Sequence, residues 1–497
     1  MVKKNRSKKA VRKQAKKARR QARKNKLCRI SKSHFPKIGP NTEHDICSER
    51  LTAFGGLLAL VKFWDLIKFK DVFRDIYVSP PRKPMLGCYR MVLGLLIMLF
   101  VGFQRIGHLK HLREDSMITG ILKVTRLPAV STFWRYLQSL KIVQSQSLLR
   151  LMAALRERVW QLADYRPKRV RVNIDTTVAT IYGDIQGAHK GHNTKYRGKK
   201  GLRPVLCFLD ETREYLCGTQ RRGQTITGKE VARQIQSFRW YLPDYVEEIL
   251  ACGDGEFISW ESVCECEKSG FSYIFGNRRC TPPFPENRWY RHKEYEYNEC
   301  MYQPTGWEKP CRFVVMRIRK DQKGDRQLPL FKEDKYVYRV FVTNLPLKPH
   351  HVIARYDKRA DVENSIGEAQ REGILAIPSR KFQSNHAYFQ IVMLAYNLWR
   401  WLKQVAGHHE KETAVTETGH VPERIEVVDQ TVRLSRLKLL YVAAKISWHG
   451  NRDKVYYSIH ESRASGILTF LDYLDRRRAE KIPELDASCT TAYRATG

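Results

Sequence analysis

The chain lacks any long apolar segment. Its longest uninterrupted run, Met91–Phe103 (MVLGLLIMLFVGF), holds thirteen residues, short of the ~20 that a helix needs to cross a bilayer. It therefore reads as a buried core helix, and no membrane partner is expected. No apolar stretch follows the basic N-terminus, as a secretory leader would require. Paired Cys-x2-Cys patterns are missing among the twelve cysteines, and the densest group, Cys264, Cys266 and Cys280, makes a poor zinc set. Irregular spacing without a leader points to reduced thiols in a cytoplasmic protein. Acids are scarce: 51 Asp plus Glu stand against 90 Lys plus Arg, a formal net charge of +39. Such an excess forecasts a polyanionic partner, with nucleic acid ahead of an anionic membrane surface.

What is present falls into blocks. Residues 1–40 form a basic arm, expected to be disordered; Met1–Lys26 carries fourteen Lys or Arg and no acid. Such an arm is either a solvated tail or one that orders on phosphates. Removing those fourteen still leaves +25, so the folded body is basic too. Residues 41–165 show apolar spacing of three and four, the pattern of a helical region. Within it RLPAVSTFWRYLQSLK, with Ser131 and Thr132 as N-caps, reads as a short helix of core or DNA-recognition type. The period then changes to two in VRVNIDTTVATIYG, a strand. Further strands fit RPVLCFLDE, EYLCGTQRRG and EEILACGDGEF. Residues 279–345 are β-rich, with CRFVVMRIRK and KYVYRVFVTNL about a polar turn. The acidic stretch RYDKRADVENSIGEAQREG and the apolar helix AYFQIVMLAYNLWRWLK close a mixed α/β region at 166–404 that carries this β insertion. In 405–497, LKLLYVAAKISWHG and KVYYSIH read as strand or short helix packing back on the core, with dimerisation or DNA contact as the region's role.

A Val- and Ile-rich strand that ends in Asp holds a carboxylate rigidly at a sheet edge. Asp175 and Asp254 both sit this way, with Asp210 as competitor, and adjacent strands would let two such groups converge on divalent cations. On a single helical wheel at ~100° per residue, Glu363 shares a side with Tyr356 and Arg359 and adjoins the apolar Val362, Ile366 and Ala369. Asp357, Asp361, Glu368 and Glu372 fall on the other side. Glu363 is thus expected to be half-buried and the other four solvated. The competing account of Glu363 is a structural ion pair with Arg359, four residues earlier. The loop His189–Lys200, with Lys190, Lys195, Arg197, Lys199 and Lys200, is either a DNA-backbone contact or a solvated loop. Trp289, Tyr290 and Trp307 read as insertion core rather than a platform for an unpaired base.

In NIDTTVATIYG, ACGDGEF, VFVTNL and the Tyr356-x2-Arg359-x3-Glu363 spacing, over about residues 51–403, the chain resembles the DDE transposases of bacterial insertion sequences. The closest likeness is to the group with a Tyr-x2-Arg-x3-Glu-x6-Lys signature. Gln370 stands where that Lys is expected, and Arg371 follows it. The resemblance implies an RNase H-like catalytic domain with an all-β insertion, preceded by a helical DNA-binding region. It implies Mg-dependent phosphoryl transfer on DNA, with Asp175, Asp254 and Glu363 as catalytic residues holding two Mg²⁺ ions, or Mn²⁺ in their place. Tyr356, Arg359 and either Gln370 or Arg371 would contact phosphates. The implied partner is double-stranded DNA, at transposon ends and target, bound by a homodimer in a cut-and-paste reaction at a bacterial nucleoid. A stand-alone metal-dependent nuclease and a domesticated, non-catalytic DNA-binding protein are the rivals. The helical region and basic arm exceed what a minimal nuclease needs, and three ordered acids have no purpose without catalysis.

Overall fold

The computed structural model describes residues 13–20, 39–191, 193, 196–277, 280, 282–319, 336–416, 425, 427–449 and 452–480. Lys195, the polar turn at 320–335 and much of the basic arm lie outside them. The chain divides into two compact units, Met1–Glu49 and Arg50–Gly497. In the first, residues 13–20 are helical and exposed, where composition alone points to disorder. Ala, Gln, Lys and Arg are all strong helix formers, and charge does not override that locally.

The second unit is built on a nine-stranded sheet. Its strands are β1 (Arg169–Thr176), β2 (Val205–Leu209), β3 (Tyr215–Thr219), β4 (Glu248–Gly253), β5 (Ser272–Asn277), β6 (Tyr290–His292), β7 (Tyr295–Tyr302), β8 (Cys311–Arg319) and β9 (Tyr336–Thr343). Their spatial order is β6-β7-β8-β9-β5-β4-β1-β2-β3. β1, β2 and β3 form an antiparallel meander, while β4 and β5 run parallel to β1. That five-stranded half is the RNase H-like arrangement. The β insertion continues the same sheet, because β9 pairs antiparallel with β5. As a central strand, β1 is covered on both faces: Val172 and Ile174 are buried, and so is Asn173 between them.

Helices pack the sheet into a main core with members from Leu57 to Leu474, and a separate, smaller core that includes Cys252, Ile274, Phe341 and Val352 joins the insertion to residues of the helix Pro349–Asp357. The thirteen-residue apolar run supplies α1 (Cys88–Phe100), which is buried along most of its length. Further elements are α2 (Ile142–Leu162), α3 (Pro349–Asp357), α4 (Ala360–Ala369) and α5 (Phe382–Thr416). No described helix is long and apolar enough to cross a membrane. A fully buried ion pair joins α2 to the turn between β2 and β3: Arg156 Nε lies 2.8 Å from Glu214 Oε2. Arg156 also donates to the carbonyls of Tyr241 and Tyr215, and Glu214 accepts from Trp160 Nε1 and Gln404 Nε2, each at 2.8 Å. Within this second unit, residues 444–479 fold back on residues 50–66. Ala444–His449 pairs with both Arg50–Thr52 and Arg452–Tyr457, and helix Ala464–Ala479 packs on helix Leu57–Leu66. In the insertion, Trp307 packs against Trp260 and Phe313, while Trp289 is covered by the Arg317 guanidinium at 3.7 Å.

Candidate active site

The register of β1 and β4 places the two aspartates together. Ile174 lies opposite Gly253 in this parallel pair, so the next residues, Asp175 and Asp254, leave neighbouring strands side by side, about 5 Å apart. Both sit at the C-terminal end of the parallel strands, where open α/β sheets gather their ligands. Asp210 is removed from the contest by direction. β2 runs antiparallel to β1, so its end lies beside Arg171 and Asn173, which donate to the Asp210 carboxylate at 3.1 and 2.8 Å. Four residues of strand, about 13 Å, separate that end from Asp175.

The acidic stretch does not form the continuous helix that a single wheel assumes. α3 ends at Asp357 and α4 begins at Ala360, with Lys358 and Arg359 forming the break. A further irregular turn follows at Gln370–Ile374, where Gly373 has φ 111°. Three expectations for these acids are corrected. Glu363 is exposed rather than half-buried. Glu368 is buried rather than solvated, paired with Arg400 and accepting from the Val432 amide at 2.8 Å. Glu372 is turned inward onto Arg436, and burial raises its pKa while Arg436 opposes the rise. Asp357 does face solvent, paired with Arg339; the side chain of Asp361 lies outside the described residues.

Arg359 is the hinge of the site. It is 9% exposed, and its Nη2 lies 3.0 Å from Asp175 Oδ2 and 3.1 Å from the Ile174 carbonyl. The resemblance assigns Arg359 to phosphates; here its guanidinium pairs with Asp175 rather than with Glu363. Tyr356 stands over β5, where a Cβ on Gly276 would lie 3.4 Å from its hydroxyl and 3.3 Å from the Gly255 nitrogen. The absence of a side chain at Gly276 thus seats the Tyr356 hydroxyl beside the Asp254–Gly255 backbone. Burial raises that hydroxyl's pKa, keeping it a neutral hydrogen-bond donor. Gln370 donates to Thr177 Oγ1 at 2.7 Å, just past the end of β1, whereas Arg371 is exposed beyond it.

Sequence reasoning passed over Glu256 and Arg203. Arg203 Nη2 lies 2.6 Å from Glu256 Oε2, which also accepts from Thr176 Oγ1 at 3.2 Å. The Glu256 amide donates to Asp254 Oδ1 at 3.0 Å, so this pair ties the ends of β1 and β4 together. The Asp-x-Glu spacing in ACGDGEF is the only signal that could have found it. Lys190, Arg197, Lys199 and Lys200 are exposed on or beside a small sheet of Ala179–Thr180, Lys200–Leu202 and His189–Lys190, which follows directly from β1.

Burial pushes the Asp175 carboxyl up to about 6; Arg359 opposes the rise, while the charges of Asp254 and Glu363 add to it. Glu363 is therefore close enough for its charge to be felt at Asp175. The three carboxylates offer only oxygen donors, the set that suits a hard divalent cation. Among the described residues no three His, Cys, Asp or Glu side chains stand close enough to hold an ion as they are; Arg359 supplies Asp175 with positive charge instead. A carboxyl whose folded pKa lies above its ordinary value favours the fold at low pH, and that contribution is lost as pH rises from about 4 through about 6. Above this window ionised Asp175 opposes folding. Ca²⁺ or Mg²⁺ is therefore expected to raise the unfolding midpoint more at pH 7.5 than at pH 5, and Asp175→Asn to remove the increment. Equal shifts at both pH values would contradict the assignment.

Two aspartates thus meet at adjacent strand ends of the sheet, with a glutamate on a following helix, as a candidate site. A sequence profile of the family described as Transposase DDE domain group 1 matches residues 39–479, and the chain belongs to that family of DDE transposases, which use divalent metal ions. Among solved structures, the piggyBac transposase synaptic complex with hairpin DNA is similar at 11% identity and TM-score 0.39, over 89% of this chain and 85% of that one. A search of curated proteins returned no match.

Proposed function

We propose that this transposase binds the terminal inverted repeats of a bacterial insertion sequence and moves the element by a cut-and-paste reaction, acting on DNA as a homodimer at the nucleoid. The observation that carries the reading is the pairing of Asp175 with Asp254 at adjacent strand ends, with the charge of Glu363 within reach. These three residues would hold two Mg²⁺ ions, or Mn²⁺ in their place. Bound there, the ions supply activation of water or a DNA 3′-hydroxyl and stabilisation of the leaving oxygen. The protein's own share is positioning. Arg359 and the Thr176 amide fix the Asp175 carboxylate, and Tyr356 offers a neutral O–H next to Asp254. Lys190, Lys195, Arg197, Lys199 and Lys200 track the backbone of the DNA strand, and Gln370 with Arg371 takes the place of the family's Lys. Residues 41–165 read the ends, and 405–497 serve dimerisation or DNA contact.

A supercoiled plasmid carrying the element's two ends between markers tests the reaction. The purified chain with Mg²⁺ is expected to release the intervening segment by double-strand cleavage; nicking without regard to the end sequence would favour the nuclease reading. Affinity for a labelled end duplex is expected to fall steeply between 50 and 200 mM salt, by about 10³-fold for six phosphate contacts, because those contacts release counterions. A flat response would remove DNA as the partner.

A further inference from the structure

The two aspartates are joined by more than the pairing of their strands. Thr176 follows Asp175, and its amide donates to Asp175 Oδ1 at 2.7 Å. Glu256 lies just past Asp254, and its amide donates to Asp254 Oδ1 at 3.0 Å. The side chains of these same two residues meet, the Thr176 hydroxyl donating to Glu256 Oε2 at 3.2 Å. A chain of hydrogen bonds thus runs from one aspartate to the other through Thr176 and Glu256. Each bridging residue holds a carboxylate with its backbone and its counterpart with its side chain.

Arg203 braces this chain from a third strand. It stands just before β2, whose first residue, Val205, pairs with Thr176, and its amide donates to the Arg221 carbonyl at 3.1 Å. From there its guanidinium reaches Glu256 Oε2 at 2.6 Å, so the start of β2 and the ends of β1 and β4 are tied together. Arg203 is buried. An ion pair so covered gains little stability over an apolar pair of the same volume, and its placement on the residues that hold both aspartates points to a task at the site.

That task is not to bind a cation directly. Alternation along β1 turns Thr176 to the face opposite Asp175, whereas Thr177, returned to the Asp175 side, meets Gln370 beside α4. The Glu256 carboxylate is therefore held behind the aspartates, with its Oε2 shared by Arg203 and Thr176. Groups that orient metal ligands from behind, through hydrogen bonds, typically contribute roughly 10–100-fold to metal affinity.

We propose that Thr176, Glu256 and Arg203 are positioning residues that fix the separation and orientation of Asp175 and Asp254 and so set the site's affinity for divalent cations. The proposal rests on the reading of those aspartates as cation ligands. The test measures cation binding by the full chain without DNA, as the Ca²⁺ concentration that gives half the maximal rise in unfolding midpoint at pH 7.5. Thr176→Val deletes the hydroxyl and keeps the β-branched shape; Glu256→Gln keeps the size but breaks the charge pair with Arg203. Both are expected to raise that concentration about tenfold, whereas Thr176→Ser, which restores the hydroxyl, is expected to match the wild type. Metal-free melting curves record any loss of fold, and Thr176→Val reports even where Glu256→Gln is destabilised. Glu299→Gln, which breaks an ion pair with Arg312 in the insertion, is expected to leave the concentration unchanged.

A like rise in Glu299→Gln would make the effect one of general stability and overturn the proposal. A Glu256→Gln chain that no Ca²⁺ concentration stabilises, beside an unshifted Thr176→Val, would make Glu256 a ligand and overturn it too. Asp175→Asn separates the two readings. If it abolishes the Ca²⁺ response while Thr176→Val and Glu256→Gln keep the wild-type value, the metal reading survives and this one fails. A wild type that Ca²⁺ does not stabilise removes the metal reading itself, and this one with it.

Discussion

Glu363→Gln is expected to reduce strand cleavage by about 10³-fold or more, some 4 kcal/mol of barrier, while leaving the fold and DNA binding intact. The separation arises because Glu363 is exposed, and an exposed substitution usually moves stability by no more than about 0.5 kcal/mol. Its amide keeps the size and polarity of the carboxylate but not the charge, so the proposed site loses its third anionic ligand. Asp357→Asn, an exposed acid on the preceding helix paired with Arg339, is the matched control and should retain activity. Cleavage of an end-labelled duplex, read beside its melting curve and binding isotherm, decides the matter. Equal losses in both variants would sink the assignment of Glu363 to the site.

The largest effect on stability is expected at the buried pair Arg156 and Glu214. Both side chains are fully buried, and each also satisfies neighbours: Arg156 donates to two carbonyls, while Glu214 accepts from Trp160 and Gln404. Glu214→Ala leaves a guanidinium in the core without its counter-charge, which costs about 3–5 kcal/mol, because desolvation is no longer offset. The double change Arg156→Met with Glu214→Leu is expected to recover part of that loss, since an apolar pair removes the charge as well as its partner. Urea unfolding of the three variants measures this. A Glu214→Ala protein with wild-type stability would show that the pair contributes little beyond packing.

Much of the catalytic half was legible as pattern. Alternation in VRVNIDTT and the apolar run before Asp254 gave two strands ending in Asp, and a local period is enough to find such strands. That β1 and β4 are neighbours and parallel was not legible, since strand order is set by long-range pairing. The same ordering disposes of Asp210: it ends a strand as Asp175 does, but an antiparallel one, at the far end of the sheet.

The acidic stretch divides differently from the expected wheel because distant elements decide which acids are covered: Glu368 on α4 meets Arg400 and Glu372 in the following turn meets Arg436, while Glu363 on the same helix stays in the open. No local signal places Arg359 on Asp175, 184 residues away, or Glu214 on Arg156, 58 residues away. The sequence by itself determined the charge, the periods and the residue types of the site, because those are properties of neighbours along the chain. Only the tertiary structure decided which carboxylates converge, which are neutralised by arginine and which remain open to solvent, because each outcome depends on the direction and packing of elements far apart in sequence.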